Sequence, residues 1–390
     1  MPSETIDDVT GIGDDAGDRP LPVVVLLGAE IAGEPRCFPV GGDGLVLGRR
    51  ISAPGVETTD IADERMSREH AEVRFDRGTW TITDRDSRNG TFVDGERAIA
   101  VTQRRGDTVV RLGHSVFLLI GDGRGHEQPI RTVADHVVGP ELARVLERVR
   151  RHGSSPTLLV HGERGSGKEM AARLFHDAGP RAGGPFVVVN CAAIPEGSAE
   201  RLLFGSRNGA FSDAGDATGY LQSAHGGTLF LDEIAELDGT VQAKLLRAIE
   251  ALEVVPVGAS QGTRVEVGVV VASRRELSAA VADGGFRDDL YCRLTRAVVR
   301  LPPLRQRRRD IAQLVMREVT TVDRGLTAHP RLIEASCLRP WPGNVRELRD
   351  AVHEAALAAL AAGRKVVRSD DLPPGAGAPV PASAGAPPPP

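Results

Sequence analysis

The sequence predicts two unlike folds in one chain: an all-β sandwich, then a doubly wound α/β domain that carries a helical cap. Three observations predict it. Between residues 21 and 121, short apolar or alternating runs (VVVLL, GLVLGR, AEVRF, TWTITD, GTFVDG, VFLLI) are separated at regular spacing by Gly, Asp or Asn turns, which is how a sandwich reads. From residue 137 strand-like and helix-like runs alternate, which argues a parallel sheet with crossover helices. One of those alternations, Leu158 to Glu169, runs strand, glycine-rich turn, helix, the context a phosphate-binding loop requires.

Length and composition agree with a multidomain chain. At 390 residues the chain is too long for one ordinary domain. It is 41% hydrophobic and 26% charged, enough for a sizeable core, and its net charge of −5 leaves no global footprint for nucleic acid. Cys37, Cys191, Cys292 and Cys337 are far apart and follow no metal-ligand spacing. They read as reduced, mostly buried thiols of a cytosolic protein. No stretch approaches 18 apolar residues, and the acidic N-terminus is no signal peptide. The expected location is cytoplasmic, with no membrane partner.

Taken in order, residues 1–20 are acidic and poor in large apolar groups, and are expected to be a disordered tail. Residues 21–121 form the sandwich. Residues 122–136, GDGRGHEQPIRTVAD, are short, polar and glycine-containing, and are expected to be a linker. In GPELARVLERVRRHG, Leu142, Val145, Leu146 and Val149 share one helical face. The strands that follow are TLLVHG, FVVVNC, TLFLDE and VGVVVAS, with helices EMAARLFHDAG, GSAERLLF and GTVQAKLLRAIEAL between them. The α/β part is expected over 137–300. A helical cap is expected over 301–372, in RRRDIAQLVMREV, HPRLIEASCLR and NVRELRDAVHEAALAALAAG, with Gly363 as a helix stop. Residues 373–390, PPGAGAPVPASAGAPPPP, are expected to be a disordered Pro/Ala/Gly tail.

The chemistry sits in two of these stretches. Gly162, Gly165 and Gly167 let backbone N–H groups curl around phosphate oxygens, and the following helix adds its dipole. Lys168, one of only three lysines with Lys244 and Lys365, would reach the β/γ-phosphates. The next residue, Glu169, stands where most such loops have a magnesium-binding Ser or Thr. GGTLFLDEI, Gly226 to Ile234, reads as a buried strand that delivers Asp232 and Glu233 to the same sheet edge. Asp232 suits Mg2+ and its waters, and Glu233 suits orienting an attacking water.

Within residues 21–121 the clusters LGRR (47–50), MSREH (66–70) and DRDSRNGTFVDG (84–95) resemble a forkhead-associated (FHA) domain. That resemblance implies binding of a phosphothreonine protein made by a Ser/Thr kinase. Arg49 would pair with the phosphate, Ser67 would donate its hydroxyl to it, and Arg68 would contact phosphate or peptide. His70 would brace the loops, and Asn89 would hold the peptide backbone beside the Gly90 turn. Arg88 departs from the usual Ser/Thr, and either adds charge or blocks the pocket.

Residues 137–372 resemble the AAA+ ATPase domain of sigma-54-dependent transcription activators, through GERGSGKE, FVVVNCAA, LLFGSRNGAFSDA, GGTLFLDEI, VQAKLLRAIE, FRDDLYCRL, LPPLRQRRRDI and WPGNVRELRD. Glu169 is that family's own usage. The resemblance implies that Gly162, Glu163, Arg164, Gly165, Ser166, Gly167, Lys168 and Glu169 bind the phosphates of ATP. Asp232 would position Mg2+ and Glu233 would activate water. Asn190 would hydrogen-bond Glu233 as a switch. Arg287 and Arg293 would act on a neighbour's ATP, which implies a homo-oligomeric ring, hexamer or heptamer. Arg346 would read the nucleotide from the cap. Phe211 and Ser212 would contact sigma-54 RNA polymerase holoenzyme. The basic run RQRRRD, Arg305 to Asp310, is expected to be structural rather than a nucleic-acid patch.

Three departures bear on output. The sigma-54-contacting loop reads GAFSDA where the family has GAFTGA, so Asp213 replaces a glycine. The sensor strand ends VVVASRRE, so Arg274 replaces an Asn. No C-terminal helix-turn-helix is read, so no sequence-specific DNA-binding domain is expected. The expected function is an FHA-regulated ring ATPase that remodels sigma-54 holoenzyme. The alternatives are the same ATPase acting on another protein, and a non-enzymatic phosphopeptide adaptor.

Overall fold

The structure, a computed structural model, describes residues 21–28, 36–126, 129–133, 135–207 and 216–378. The chain divides into two units, Met1–Pro129 and Ile130–Pro390.

The first unit is built from β1 (Val23–Gly28), β2 (Arg36–Pro39), β3 (Leu45–Leu47), β4 (Arg50–Ala53), β5 (Val56–Asp60), β6 (Ala71–Asp76), β7 (Thr79–Asp84), β8 (Thr91–Val93), β9 (Glu96–Arg97), β10 (Val101–Arg105), β11 (Thr108–Leu112) and β12 (Ser115–Ile120). One sheet has the order β2-β1-β12-β11-β8-β9 and the other β10-β7-β6-β3, while β4 and β5 pair as a hairpin. Inward side chains of both sheets, among them Phe38, Leu47, Val73, Trp80, Ile82, Phe117 and Leu119, close one core. β12 is buried at all six positions, so the alternation expected of a half-exposed strand fails there.

The second unit starts with the hairpin β13 (Arg131–Val133) and β14 (His136–Val138), then α1 (Pro140–Arg151), β15 (Thr157–His161), α2 (Lys168–Ala178), β16 (Phe186–Asn190), α3 (Ala199–Phe204), α4 (Tyr220–Ser223), β17 (Thr228–Asp232) and α5 (Gly239–Ala251). It continues through β18 (Glu253–Val254), β19 (Thr263–Arg264), β20 (Gly268–Ser273), α6 (Leu277–Ala282), α7 (Asp288–Leu294) and β21 (Val298–Arg300). β16, β17, β20, β15 and β21 form one parallel sheet in that spatial order. Its two faces feed two cores. Leu159, Leu229, Leu231, Val269 and Val271 enter one, and Leu158, Val160, Phe230, Val270 and Ala272 enter the other. This is why those strands read as unbroken apolar runs. β21 completes the sheet and is too short and too near a charged turn to stand out in the sequence.

The cap is α8 (Arg308–Val322), α9 (Pro330–Leu338) and α10 (Asn344–Ala361), with a small parallel pair of β22 (Thr327–Ala328) and β23 (Val366–Val367). The cap, expected to be helical, therefore also holds a short pair of strands. Within 122–136, expected to be a linker, described residues at each end are tied into the two units. The Gly123 N–H donates to the Leu21 carbonyl at 2.7 Å in the first unit, and β13–β14 belongs to the second. At the other end, residues 373–378 are packed rather than loose. The Trp341 N–H donates to the Gly377 carbonyl at 3.3 Å, Arg339 Nη1 to the Ala376 carbonyl at 2.8 Å, and the Gly377 N–H to Glu347 Oε1 at 3.0 Å. A proline-rich composition hides this, because the contacts are made by backbone.

Part of the basic run lies inside, while Arg305 stays exposed. Arg307 and Arg309 are 2% and 1% exposed, and Arg307 faces the fully buried Asp310 at 3.5 Å. Burial pushes the Asp310 carboxyl up to about 7, with Arg307 opposing. The buried guanidinium groups of Arg307 and Arg309 are out of reach of a phosphate backbone. Of the cysteines, Cys191 and Cys337 are buried, and burial pushes their thiols up to about 12. Cys292 is exposed, against the expectation of mostly buried thiols.

Candidate functional site

β15 ends at His161, and the chain turns through Gly165 (φ +72°) and Gly167 (φ +107°) into α2. Lys168 is the first residue of that helix and is 7% exposed. Its Nζ donates to the Gly162 carbonyl at 3.3 Å and lies 3.5 Å from Glu233 Oε1 and 3.8 Å from Asp232 Oδ1. A nearly buried ammonium is retained only against such partners. Burial raises the Asp232 carboxyl above its ordinary range, with Lys168 opposing. Glu233 adopts a left-handed conformation, φ 54° and ψ 50°, strain of the kind that functional positions retain. Inside the loop, the buried Ser166 hydroxyl has no hydrogen-bond partner among the described residues. Among the described residues no three His, Cys, Asp or Glu form a metal cage. Asp232 is the carboxylate that would suit Mg2+, an ion that takes one or two carboxylates together with phosphate oxygens and water.

Asn190 and Asp232 are paired neighbours on β16 and β17. Asn190 nonetheless makes no hydrogen bond to Glu233. Its Oδ1 accepts from the Ala192 N–H at 3.1 Å and caps the short helical turn that follows. Glu233 is approached instead by Arg274, whose Nε is 3.7 Å from Oε2. Glu169 pairs with Arg173 one turn on, at 2.8 Å.

Four consecutive loop residues are gripped by the cap. Arg305 donates twice to Glu163, at 2.9 and 2.6 Å, and holds its carboxyl below the usual range. Asn344 Nδ2 donates to Glu163 Oε2 at 3.1 Å and to the Arg164 carbonyl at 2.9 Å. The Val345 N–H donates to the Gly165 carbonyl at 3.3 Å. Arg307 Nη2 donates to the Ser166 carbonyl at 3.2 Å. A Cβ at Gly165 would stand 2.2 Å from the Gly343 carbonyl oxygen, so only glycine fits. Arg346 lies in the first turn of α10 beside this contact, exposed and with no side-chain partner among the described residues. None of these contacts was expected; their signal was the run of polar residues in WPGNVREL and LRQRRRD, whose partners lie about 140 to 180 residues away.

Arg287 precedes α7 and is held by Asp289 at 3.0 and 2.7 Å. Arg293, near the end of α7, has a buried Nε with no partner. A cleft of about 450 Å³ behind β15, lined by His161, Glu276, Tyr291 and Arg300 among others, includes none of Lys168, Asp232 or Glu233. Phe211, Ser212 and Asp213 lie outside the described residues.

In the first unit the loop residues converge by backbone contact. The Arg49 N–H donates to the Ser67 carbonyl at 3.1 Å. A Cβ at Gly48 would meet the Arg68 carbonyl at 2.0 Å, so glycine permits the close approach. The Arg88 N–H donates to Ser67 Oγ at 3.2 Å, which leaves the Ser67 hydroxyl proton to donate outward. Asn89 Nδ2 donates to the Arg65 carbonyl at 2.7 Å. Arg49, Arg68 and Arg88 are exposed and have no side-chain partner among the described residues; Arg88 adds charge and is not folded onto the loops. His70 is fully buried. Its Nδ1 accepts from the Ser67 N–H at 3.0 Å, so Nε2 carries the proton toward the Gly90 carbonyl at 3.2 Å. Burial lowers its pKa below 6.5. A depressed histidine contributes stability above the unfolded pKa and loses it as pH falls. The melting temperature of this unit should therefore drop as pH falls below 6.5, and a His70→Gln variant should show a shallower drop in the same titration.

Comparison with known proteins bears on both units. Residues 45–113 match the FHA domain, residues 137–300 the sigma-54 interaction domain, and residues 305–385 the AAA+ ATPase lid domain. The chain carries an FHA domain followed by a sigma-54 interaction domain and its AAA+ lid. Relatives of the sigma-54 interaction domain include the Nif-specific regulatory protein of Herbaspirillum seropedicae, 44% identical over 231 residues, 57% of this chain and 43% of that protein. The transcriptional regulatory protein FlbD of Caulobacter vibrioides is 45% identical over 219 residues, 55% of this chain and 48% of that protein. The chain thus spans about half the length of the curated relatives it matches. Among solved structures, NtrX from Brucella abortus in complex with ADP is similar with a TM-score of 0.56 and 31% identity, over 64% of this chain and 58% of that one. No helix among the described residues is long and apolar enough to cross a membrane.

Proposed function

We propose that the sigma-54 interaction domain hydrolyses ATP and spends that energy on remodelling sigma-54 RNA polymerase holoenzyme, and that the FHA domain governs this by binding a phosphothreonine protein. The observation that carries the reading is Lys168, nearly buried between the Gly162 carbonyl and the two carboxylates Asp232 and Glu233. The loop from Gly162 to Lys168 binds the phosphates, and Lys168 moves from the carboxylates onto them. Asp232 holds Mg2+, which supplies charge neutralisation at the phosphates. Glu233, freed on one oxygen, orients water. Arg287 and Arg293 serve a neighbour's nucleotide, so the working form is a ring, and Arg346 reads the nucleotide from the lid. At the other end, Arg49, Ser67 and Arg68 bind the phosphate, and Asn89 steadies the peptide.

The likeness to sigma-54 interaction domains supports the target, and Phe211 with the Ser212 hydroxyl supports contact through GAFSDA. Phe211→Ala should abolish transcription from a sigma-54 promoter in a purified system while sparing ATP hydrolysis. Asp213 separates the two targets. Asp213→Gly should strengthen open-complex formation, because glycine restores backbone freedom and removes a charge. If the protein forms rings and hydrolyses ATP, yet neither form binds sigma-54 or melts such a promoter, the ATPase acts on a different protein.

A further inference from the structure

In the sheet order β16-β17-β20-β15-β21, β20 lies between the strand that carries Asp232 and the strand that feeds the phosphate loop. Whatever follows Ser273 therefore emerges between the carboxylates and the loop. Ser273 is fully buried; its hydroxyl donates to the Arg275 carbonyl at 2.7 Å and accepts from the Arg275 N–H at 3.1 Å. That pair of bonds folds the strand end into a tight turn with Arg274 at its tip. Arg274 Nε stands 3.7 Å from Glu233 Oε2, and its Nη2 stands 3.8 Å from Glu236 Oε1. Lys168 takes the other oxygen of Glu233, Oε1, at 3.5 Å. Once Lys168 turns to phosphate, Arg274 is the one charged partner left to Glu233 among the described residues. The residue expected in that part, Asn190, turns its amide oxygen to the Ala192 N–H, and its Nδ2 donates no hydrogen bond to Glu233.

We infer that Arg274 is the positioning residue for Glu233: its guanidinium holds Oε2 while Oε1 is released to orient water. The inference rests on the ATPase reading above. It moves the restraint from the outer strand β16 to the central strand β20. The restraint also changes from a neutral amide to a charge, which acts over a longer distance and keeps its attraction through small rotations of either side chain.

The test is steady-state ATPase of the full chain in its ring form, with Arg274→Ala, Arg274→Lys and Asn190→Ala beside wild type. Arg274→Ala should lower kcat about tenfold and leave KM within about twofold, the pattern of a misplaced catalytic group rather than lost binding. Arg274→Lys should recover part of the loss. Because the Arg274 side chain is 52% exposed, millimolar guanidinium should partly restore Arg274→Ala, and sodium chloride at equal ionic strength should not. Asn190→Ala should cost kcat less than Arg274→Ala does. An unchanged kcat in Arg274→Ala, a KM that rises in step with the loss, no recovery by guanidinium, or a larger kcat loss in Asn190→Ala each overturns the inference while the ATPase reading stands. A wild-type ring without ATPase activity removes both.

Discussion

Lys168→Ala is expected to abolish nucleotide binding, and Glu233→Ala to bind ATP without cleaving it. The first effect has two sources. The ammonium that would meet the β/γ-phosphates is gone, and Asp232 and Glu233, which it bridges at 3.8 and 3.5 Å, are left facing an incoming polyanion with no cation between them. Hydrogen bonds to charged groups are each worth about 1.5–3 kcal/mol, and the added repulsion carries the loss beyond that of one bond. In Glu233→Ala the loop, Lys168 and Asp232 are untouched, so affinity for a fluorescent ATP analogue should stay within a few-fold. Hydrolysis should fall by about two to four powers of ten, the range for a lost general base. On the proposed role of Arg287 and Arg293 at a neighbour's nucleotide, wild-type turnover should rise steeply with protein concentration. A wild-type ring that shows no turnover would sink the ATPase reading and raise the adaptor reading in its place.

The second large effect is at the FHA loops. The isolated 21–121 fragment should bind phosphothreonine peptides and not their unphosphorylated forms, and Arg49→Ala should weaken that binding about ten- to a hundredfold. The estimate follows from the loss of one charge-assisted bond worth about 1.5–3 kcal/mol. Arg49 is exposed and its side chain touches no acidic residue among the described residues, so its removal strands none of them and the change should be read in affinity rather than in folding. Isothermal titration at fixed salt measures it, since Arg68 and Arg88 give the site a salt-dependent background. Equal affinity for phosphorylated and plain peptides would leave the sandwich as a docking module.

Much of the architecture was legible because its signals are local. Alternation in TWTITD, unbroken apolar runs in TLLVH and TLFLD, and the glycine turn before Lys168 each state their own structure. What was missed depends on distant partners. β21 is three residues long and exists as a strand only because β15 offers it an edge. The packing of residues 373–378 rests on backbone groups meeting Trp341, Arg339 and Glu347, which composition cannot announce. At the site, the sequence placed Lys168, Asp232 and Glu233 in one constellation because each ends or begins a readable element. It did not place Arg305 or Asn344, whose side chains act on backbone and carboxylates far away in the chain. It marked Arg274 as a departure without saying what the arginine touches.

The grip of the lid on residues 163–166 has a thermodynamic consequence. The loop is the joint between β15 and α2, so a lid bonded to four of its residues in succession cannot melt without unsettling the sheet edge, and the sheet cannot melt without releasing the lid. The α/β part and its lid should then unfold as one cooperative transition in calorimetry, with matching van't Hoff and calorimetric enthalpies. Asn344→Ala, which cuts the bonds to Glu163, Arg164 and Leu304 together, is the change that would split that single peak into two.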